Sequence, residues 1–343
     1  MRITIVTDAW APQVNGVVRT LHTTAACLED AGHTVQLITP DRFRTVPCPT
    51  YPEIRLAVLP QRKLARLLDG FAPDAVHIAT EGPLGHAAHR IVRRRRWPFT
   101  TAFHTQFPEY LRLRAPLPVS WSYAYLRRFH GVAAATMVPT RSQLAKLAAR
   151  GFTNLKLWQR GVDTEIFRPD DPLRLPYQRP LHAYMGRVAV EKNIEAFLDL
   201  KLSGTKLVIG DGPDLGRLRA RYPDTVFVGA KFGRELARHL SAADVFVFPS
   251  RTDTFGLVML EAMACGVPVA AFPVQGPLDV IDHRHTGVLD DDLALAIKGA
   301  LTLNRADCVA AAGAFTWARC TAEFVSHLVP ITDVVRHERA CLI

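Results

Sequence analysis

Short apolar runs alternate with amphipathic stretches along almost the whole chain, and the alternation is run through twice. "RITIVT" reads as strand, "GVVRTLHTTAACLEDAG" as a helix ending at Gly32, and "HTVQLITP" as strand again. The order recurs in "KLARLLDGFAPDAVHIAT", in a strand at "PFTTAFHT" with a helix around Trp121 to Phe129, and in "GVAAATMVPTRSQLAKLAARG" before "NLKLWQRGVD". Apolar strands separated by amphipathic helices predict a parallel sheet covered on both faces. At "FRPDDPLRLPYQRP" four prolines and alternating charges break both periodicities. The pattern then restarts: "LHAYMGR", a helix over "NIEAFLDLKL", strands at "TKLVIGDGPD" and "TVFVGA", a helix over "GRELARHLSAA", the strand "DVFVFPS", the helix "FGLVMLEAMACG" and the strand "VPVAAF".

Two successive α/β units follow from this, and 343 residues suit two domains better than one. The expected division is 1–168, 169–315, and a helical segment 316–343 that packs back toward the first domain. A single TIM barrel is the weaker competitor, because eight evenly spaced strand and helix pairs do not occur and the proline-rich break is left unexplained. Six cysteines, at 27, 48, 265, 308, 320 and 341, form no CxxC or CxxH pattern. Neither a structural zinc site nor a disulfide framework is implied, and a reducing cytoplasm fits. The first residues lack the basic start, apolar stretch and cleavage site of a signal peptide. No apolar run approaches the roughly 20 residues that span a bilayer.

The net charge of +10 is unevenly spread. Through residue 168 there are 23 Lys and Arg against 11 Asp and Glu, and thereafter 19 against 21. Much of the excess sits in "RIVRRRRWPF", where Arg93, Arg94, Arg95 and Arg96 adjoin Trp97. Trp121 and Tyr110 lie in nearby basic, aromatic stretches. Arginines over head groups with aromatics at the interface suit an anionic membrane surface. The same interleaving suits single-stranded nucleic acid, but no recognition helix or RNA module accompanies it.

Candidate chemistry clusters at strand ends, where open α/β sheets bind ligands. Arg187 and Lys192 follow the strand "LHAYM" and suit a diphosphate. Gly210 and Gly212, in "IGDGPD", form a βα turn that lacks the third glycine of a dinucleotide fingerprint. In "SRTDTFGLVMLEAMACG", Asp253 sits on a loop after a strand, Phe255, Gly256 and Leu257 offer amides near a helix start, and Glu261 lies within that helix. A buried Glu261 needs a proton donor, such as a pair of sugar hydroxyls or an amide. In the first half, Gly16 precedes a helix, His104 ends a strand in "AFHTQFPEY", and Glu81 ends another in "TEGPLG". The histidine groups "HAAH" and "HRH" lack an acidic ligand set, and no DxD pair follows a strand to clamp Mg²⁺.

Taken together, "PQVNGV", "HTQFPEY", "GRVAVEKN", "IGDGPD" and "TDTFGLVMLEAMACGVPV" resemble, in order and over nearly the entire chain, the family 4 retaining glycosyltransferases. That resemblance implies a GT-B fold: α/β, with two Rossmann-like domains whose parallel sheets face each other across a cleft that closes on the donor. It implies a nucleotide diphosphate sugar as co-substrate and no metal or other cofactor. By the same resemblance Gly16 approaches the diphosphate, Arg187 and Lys192 neutralise it, and Glu261 binds the ribose hydroxyls. Asp253 and the amides from Phe255 to Leu257 hold the transferred sugar, and His104 touches its reacting face. The family pattern has Glu where this chain has Asp253, which leaves the sugar open. No dedicated carboxylate nucleophile stands out, so the resemblance implies front-face transfer in which the departing diphosphate deprotonates the acceptor.

The basic first half and the likeness to bacterial lipid glycosyltransferases imply glucosyl or glucuronosyl transfer from a UDP-sugar to a lipid such as diacylglycerol. The chain would then lie peripherally on the inner face of the cytoplasmic membrane, with no nucleic acid or obligate protein partner. Mannosyl transfer from GDP-mannose to a lipid or saccharide is the alternative, since these motifs do not read the base.

Overall fold

In the computed structural model, residues 1–13, 15–48, 51–104, 118–169 and 172–331 are described. The first strand β1 (Arg2–Val6) pairs in parallel with β2 (Thr34–Ile38) across the helix Gly16–Asp30. An antiparallel hairpin follows, β3 (Thr45–Cys48) and β4 (Tyr51–Ala57), which the periodicity did not announce. The chain then returns to the other side of β1 as β5 (Ala75–Ile78) and continues outward through β6 (Thr100–Ala102), β7 (Ala135–Val138) and β8 (Leu155–Leu157). The sheet order is β2-β1-β5-β6-β7-β8, parallel throughout. β5 and β7 are buried along their whole length, as strands covered on both faces must be.

The second sheet repeats the design with β9 (Leu181–Met185), β10 (Thr205–Ile209), β11 (Val226–Gly229), β12 (Val245–Phe248), β13 (Val269–Ala271) and β14 (Gly287–Leu289). Its order is β11-β10-β9-β12-β13-β14, again parallel throughout. Each sheet therefore has a point where the chain reverses direction across it, between β1 and β5 in the first and between β9 and β12 in the second. Such points open a crevice at the carboxyl ends of the strands.

The chain divides into two compact units. Unit 1 comprises Met1–Gln159 together with the chain from Trp317, and unit 2 comprises Arg160–Thr316. The break thus precedes the proline-rich stretch instead of falling within it. Phe167 is fully buried in the core of unit 2, Leu173, Leu175 and Tyr177 pack against that core, and the Val162 amide donates to the Phe315 carbonyl at 2.9 Å. Apolar side chains spaced between the prolines explain why this stretch wraps one unit.

The helix Trp317–His327 completes unit 1. Trp158 Nε1 donates to the Cys320 carbonyl at 3.1 Å, and the buried Phe324 ring lies 5.0 Å from Trp158 and 4.9 Å from His77. No helix among the described residues is long and apolar enough to cross a membrane.

Candidate active site

In unit 2 the loops that leave β9 and β12 meet at the reversal point. The β9 loop runs through Gly186, Arg187 and Val188 into a short 3₁₀ turn, Val190–Lys192, and ends on Asn193 in the left-handed conformation. Asn193 Nδ2 donates to the Pro249 carbonyl at 3.0 Å, and Thr252 Oγ1 donates to the Glu191 carbonyl at 3.3 Å, tying this loop to the one after β12. Lys192 Nζ then donates to Asp253 Oδ1 at 2.6 Å, with side chains 23% and 16% exposed. An ion pair so shielded from water interacts more strongly than a surface pair.

Tyr184, fully buried, donates its hydroxyl to the Arg187 carbonyl at 2.8 Å. Burial, reinforced by the charges of Asp253 and Glu191, pushes that hydroxyl well above its ordinary 10, so it stays a proton donor. Arg187 itself is half-buried. Gly210 and Gly212 have a packing reason: a Cβ on Gly210 would lie 1.9 Å from the Gly186 carbonyl oxygen, and one on Gly212 2.3 Å from that of Val188. With no side chain there, the Val188 amide reaches the Asp211 carbonyl at 2.8 Å.

The β12 loop enters the helix Leu257–Ala264 through Gly256, whose φ of 82° suits glycine. A Cβ there would also meet Met259 Cε at 2.6 Å. The N-cap residue is itself a glycine, so these first amides receive no cap from its side chain. Phe255 is buried against Phe315, Leu257 is half-buried, and Glu261, one turn further in, is only 3% exposed. The expected donor residues Arg187, Lys192, Gly210, Gly212, Asp253, Phe255, Gly256, Leu257 and Glu261 thus all belong to the loops after β9, β10 and β12 and the helix that follows.

At the corresponding point of unit 1 the chemistry is different. Asp8, just beyond β1, is 6% exposed and spends both carboxylate oxygens on protein donors. Oδ1 accepts from the Leu84 amide at 2.8 Å, and Oδ2 from the Gly85 amide at 3.1 Å and Thr80 Oγ1 at 2.9 Å. It therefore caps the helix Pro83–Arg94 from a distant strand. Burial raises its carboxyl above the ordinary 3.8, while these donors pull it down and the Glu81 charge adds to the rise. Sequence reasoning missed this role. The available signal was an acid directly after the first strand, facing a helix whose residues at N-cap and N3 are glycines.

Glu81, after β5, carries its carboxylate 3.0 Å from His130 Nε2. Gly16 opens its helix, with Asn15 Oδ1 accepting from the Val17 and Val18 amides at 3.0 Å. His104 is half-buried just past β6, its ring edge-on to Trp158 at 5.7 Å. Tyr110 lies outside the described residues.

The arginine run divides by direction. Arg93, Arg94 and Arg96 are exposed, whereas Arg95 turns inward, pairs with Asp69 at 2.7 Å and lies over the half-buried Trp97 ring. Trp121 is 71% exposed, and Tyr125, one turn on, is exposed and bonded to His86. The described residues hold no group of three or more His, Cys, Asp or Glu suited to a metal ion.

The family model described as Glycosyltransferase Family 4 matches residues 14–166, and that described as Glycosyl transferases group 1 matches 179–302. A GDP-mannose-dependent alpha-mannosyltransferase of Mycobacterium tuberculosis is 32% identical over 84% of this chain and 83% of its own. The chain belongs to glycosyltransferase family 4. A second GDP-mannose-dependent alpha-mannosyltransferase, from Mycolicibacterium smegmatis, is 33% identical to this family 4 chain over 85% of it and 84% of the relative. An alpha-monoglucosyldiacylglycerol synthase of Streptococcus pneumoniae is 27% identical over 88% of this chain and 78% of its own. For fold, a sucrose-phosphate synthase from Thermosynechococcus elongatus superposes with a TM-score of 0.75 over 99% of both chains at 21% identity. Two α/β units with parallel sheets flanked by helices are the GT-B pair, and the chain is a nucleotide-sugar-dependent glycosyltransferase that acts on a lipid or saccharide acceptor.

Proposed function

We propose that this chain transfers mannose from GDP-mannose, with retention of configuration, to a hydroxyl of a membrane lipid. Three GDP-mannose-dependent alpha-mannosyltransferases among its relatives, at 30–33% identity over 84–85% of the chain, carry the donor choice. They favour it over the UDP-sugar expected from the motifs alone. Unit 2 takes the donor. Lys192 and Arg187 stabilise the diphosphate as the bond from the anomeric carbon to its oxygen breaks. Asp253 fixes the Lys192 ammonium and, with the first amides of the helix Leu257–Ala264, holds the sugar. Glu261 receives the ribose hydroxyls, and Gly210 and Gly212 shape the floor beneath the β9 loop.

The family resemblance assigns His104 to the sugar and Gly16 to the diphosphate. The acceptor oxygen bonds to the anomeric carbon on the face the diphosphate leaves, and its proton passes to the departing phosphate oxygen. Side-chain cations carry the charge without a metal, so transfer should survive EDTA.

Glu81 meets the acceptor, while Arg93, Arg94, Arg96 and Trp121 engage an anionic membrane on its cytoplasmic face. In the same picture Arg95 and Trp97 stiffen the base of that surface. A second reading, glucosyl transfer from UDP-glucose to diacylglycerol, is supported by the glucosyldiacylglycerol synthases of S. pneumoniae and Acholeplasma laidlawii, both 27% identical. A donor panel of GDP-mannose, UDP-glucose and UDP-glucuronic acid, with vesicles of phosphatidylglycerol carrying diacylglycerol or phosphatidylinositol, separates the two. Product formed only from a UDP-sugar rejects the mannosyl reading.

A further inference from the structure

We propose that His130 is the positioning residue of the acceptor site, holding the Glu81 carboxylate at the edge of the first sheet so that it receives the acceptor hydroxyl. The inference rests on the lipid-acceptor reading above and deepens it. His130 closes the helix Val119–His130 and is fully buried, yet both ring nitrogens are engaged. Nδ1 lies 2.9 Å from Thr101 Oγ1, Nε2 lies 3.0 Å from Glu81 Oε1, and Thr101 Oγ1 lies 3.0 Å from Thr136 Oγ1. The fold therefore lines up two hydroxyls, an imidazole and a carboxylate across β5, β6 and β7.

Proton accounting fixes the direction of this chain. If Thr136 donates to Thr101, and Thr101 to Nδ1, then Nε2 carries the ring's single proton and donates it to Glu81. The reverse orientation makes Nδ1 the donor and leaves Nε2 without a proton against a carboxylate. Relieving that takes a second ring proton, which the first orientation does not need. With the proton on Nε2 the Glu81 carboxylate receives a donor, and the Thr136 hydroxyl, 3.4 Å from the His130 carbonyl, turns its proton to the nearer Thr101 while that carbonyl keeps the Asn154 amide at 2.9 Å. A buried donor held from behind in this way fixes the orientation of the carboxylate.

Only the inner oxygen of Glu81 is used by this chain. The side chain is 26% exposed, and Oε2 makes no hydrogen bond among the described residues. Asp8, at the end of the neighbouring strand, differs because both of its oxygens are taken. A carboxylate with one oxygen clamped and the other left uncommitted accepts a hydroxyl and sets its direction. The bonds made and broken remain those given above, with Glu81 orienting the nucleophile while the departing phosphate takes its proton.

The side-chain amide of Gln places its nitrogen where His places Nε2, whereas that of Asn matches Nδ1. His130→Gln therefore keeps the donor to Glu81, and His130→Asn removes it. Steady-state transfer from GDP-mannose to diacylglycerol or phosphatidylinositol in phosphatidylglycerol vesicles reads the difference. Glu81→Gln and His130→Asn are expected to raise the lipid KM at least about tenfold more than the GDP-mannose KM, and His130→Gln to return it to within about threefold of wild type. Equal behaviour of the Asn and Gln variants, or an unchanged lipid KM in Glu81→Gln, overturns the proposal. The Glu81 variant decides alone if a His130 variant does not fold. Wild-type protein that transfers to neither lipid overturns the lipid reading itself, a result distinct from wild-type transfer with an indifferent Glu81.

Discussion

The two reversal points are built alike and finished oppositely. In unit 1 a helix start at the sheet edge is closed by the protein's own Asp8, which sends a carboxylate oxygen to each of two amides. In unit 2 the equivalent helix begins on Gly256, which has no side chain to cap it, and the nearby Asp253 is turned to Lys192. A carboxylate thus caps the helix start in one crevice, while in the other the carboxylate pairs with a lysine beside a glycine-opened helix. In the proposed function the difference separates a crevice that organises its own backbone from one that receives the donor diphosphate.

Substitutions at each point sharpen or break that contrast. The largest effect is expected at Lys192→Ala, which should lower transfer about 100-fold while leaving the unfolding midpoint nearly in place, because the lost donor acts on the departing diphosphate. Near-wild-type turnover would dissolve the contrast. Asp8→Asn should instead act on stability. The new amide faces a backbone N–H or the Thr80 hydroxyl, at a cost of about 2 kcal/mol in denaturant unfolding.

The same aspartate predicts a pH signature. Its folded carboxyl titrates above 3.8, so between that value and its raised one the folded state binds more protons than the unfolded. Its contribution to stability is therefore greatest at low pH and declines as pH rises through this window. In Asp8→Asn that part of the slope should vanish from unfolding measured as a function of pH.

A smaller effect is expected at Gly256→Ala, where the left-handed backbone and the contact with Met259 should cost about 1–2 kcal/mol of stability and lower transfer by about 5- to 30-fold. Trp121→Ala should shift stability by less than about 0.5 kcal/mol. Flotation with phosphatidylglycerol vesicles would nonetheless show weaker binding, and unaltered flotation would detach that exposed ring from the membrane role.

Local sequence carried most of unit 2. Strand, loop and helix follow one another within "DVFVFPSRTDTFGLVMLEAMACG", so Asp253 and Glu261 could be placed from spacing alone. The hydrogen-bonded chain of unit 1 was hidden because its members come from four separate elements. His130 ends a basic, aromatic helix and reads there as surface, and only the register of β6 against β7 brings Thr101 and Thr136 opposite each other. The arginine run misled for a related reason. Composition cannot say that Arg95, just past the end of its helix, turns toward Asp69 while its neighbours stay in solvent. The hairpin β3–β4 escaped because a proline interrupts each of its strands.

The contact between Trp158 and the helix Trp317–His327 sets an order of events on the ribosome. Every residue of unit 2 has been synthesised before the segment that seals the first sheet emerges, so the later half of the molecule can reach its native state while the earlier half still waits for Cys320 and Phe324. Until then the indole of Trp158 lacks the Cys320 carbonyl and the Phe324 ring, and a nascent chain stalled ahead of Trp317 should be cut by protease in unit 1 while unit 2 resists.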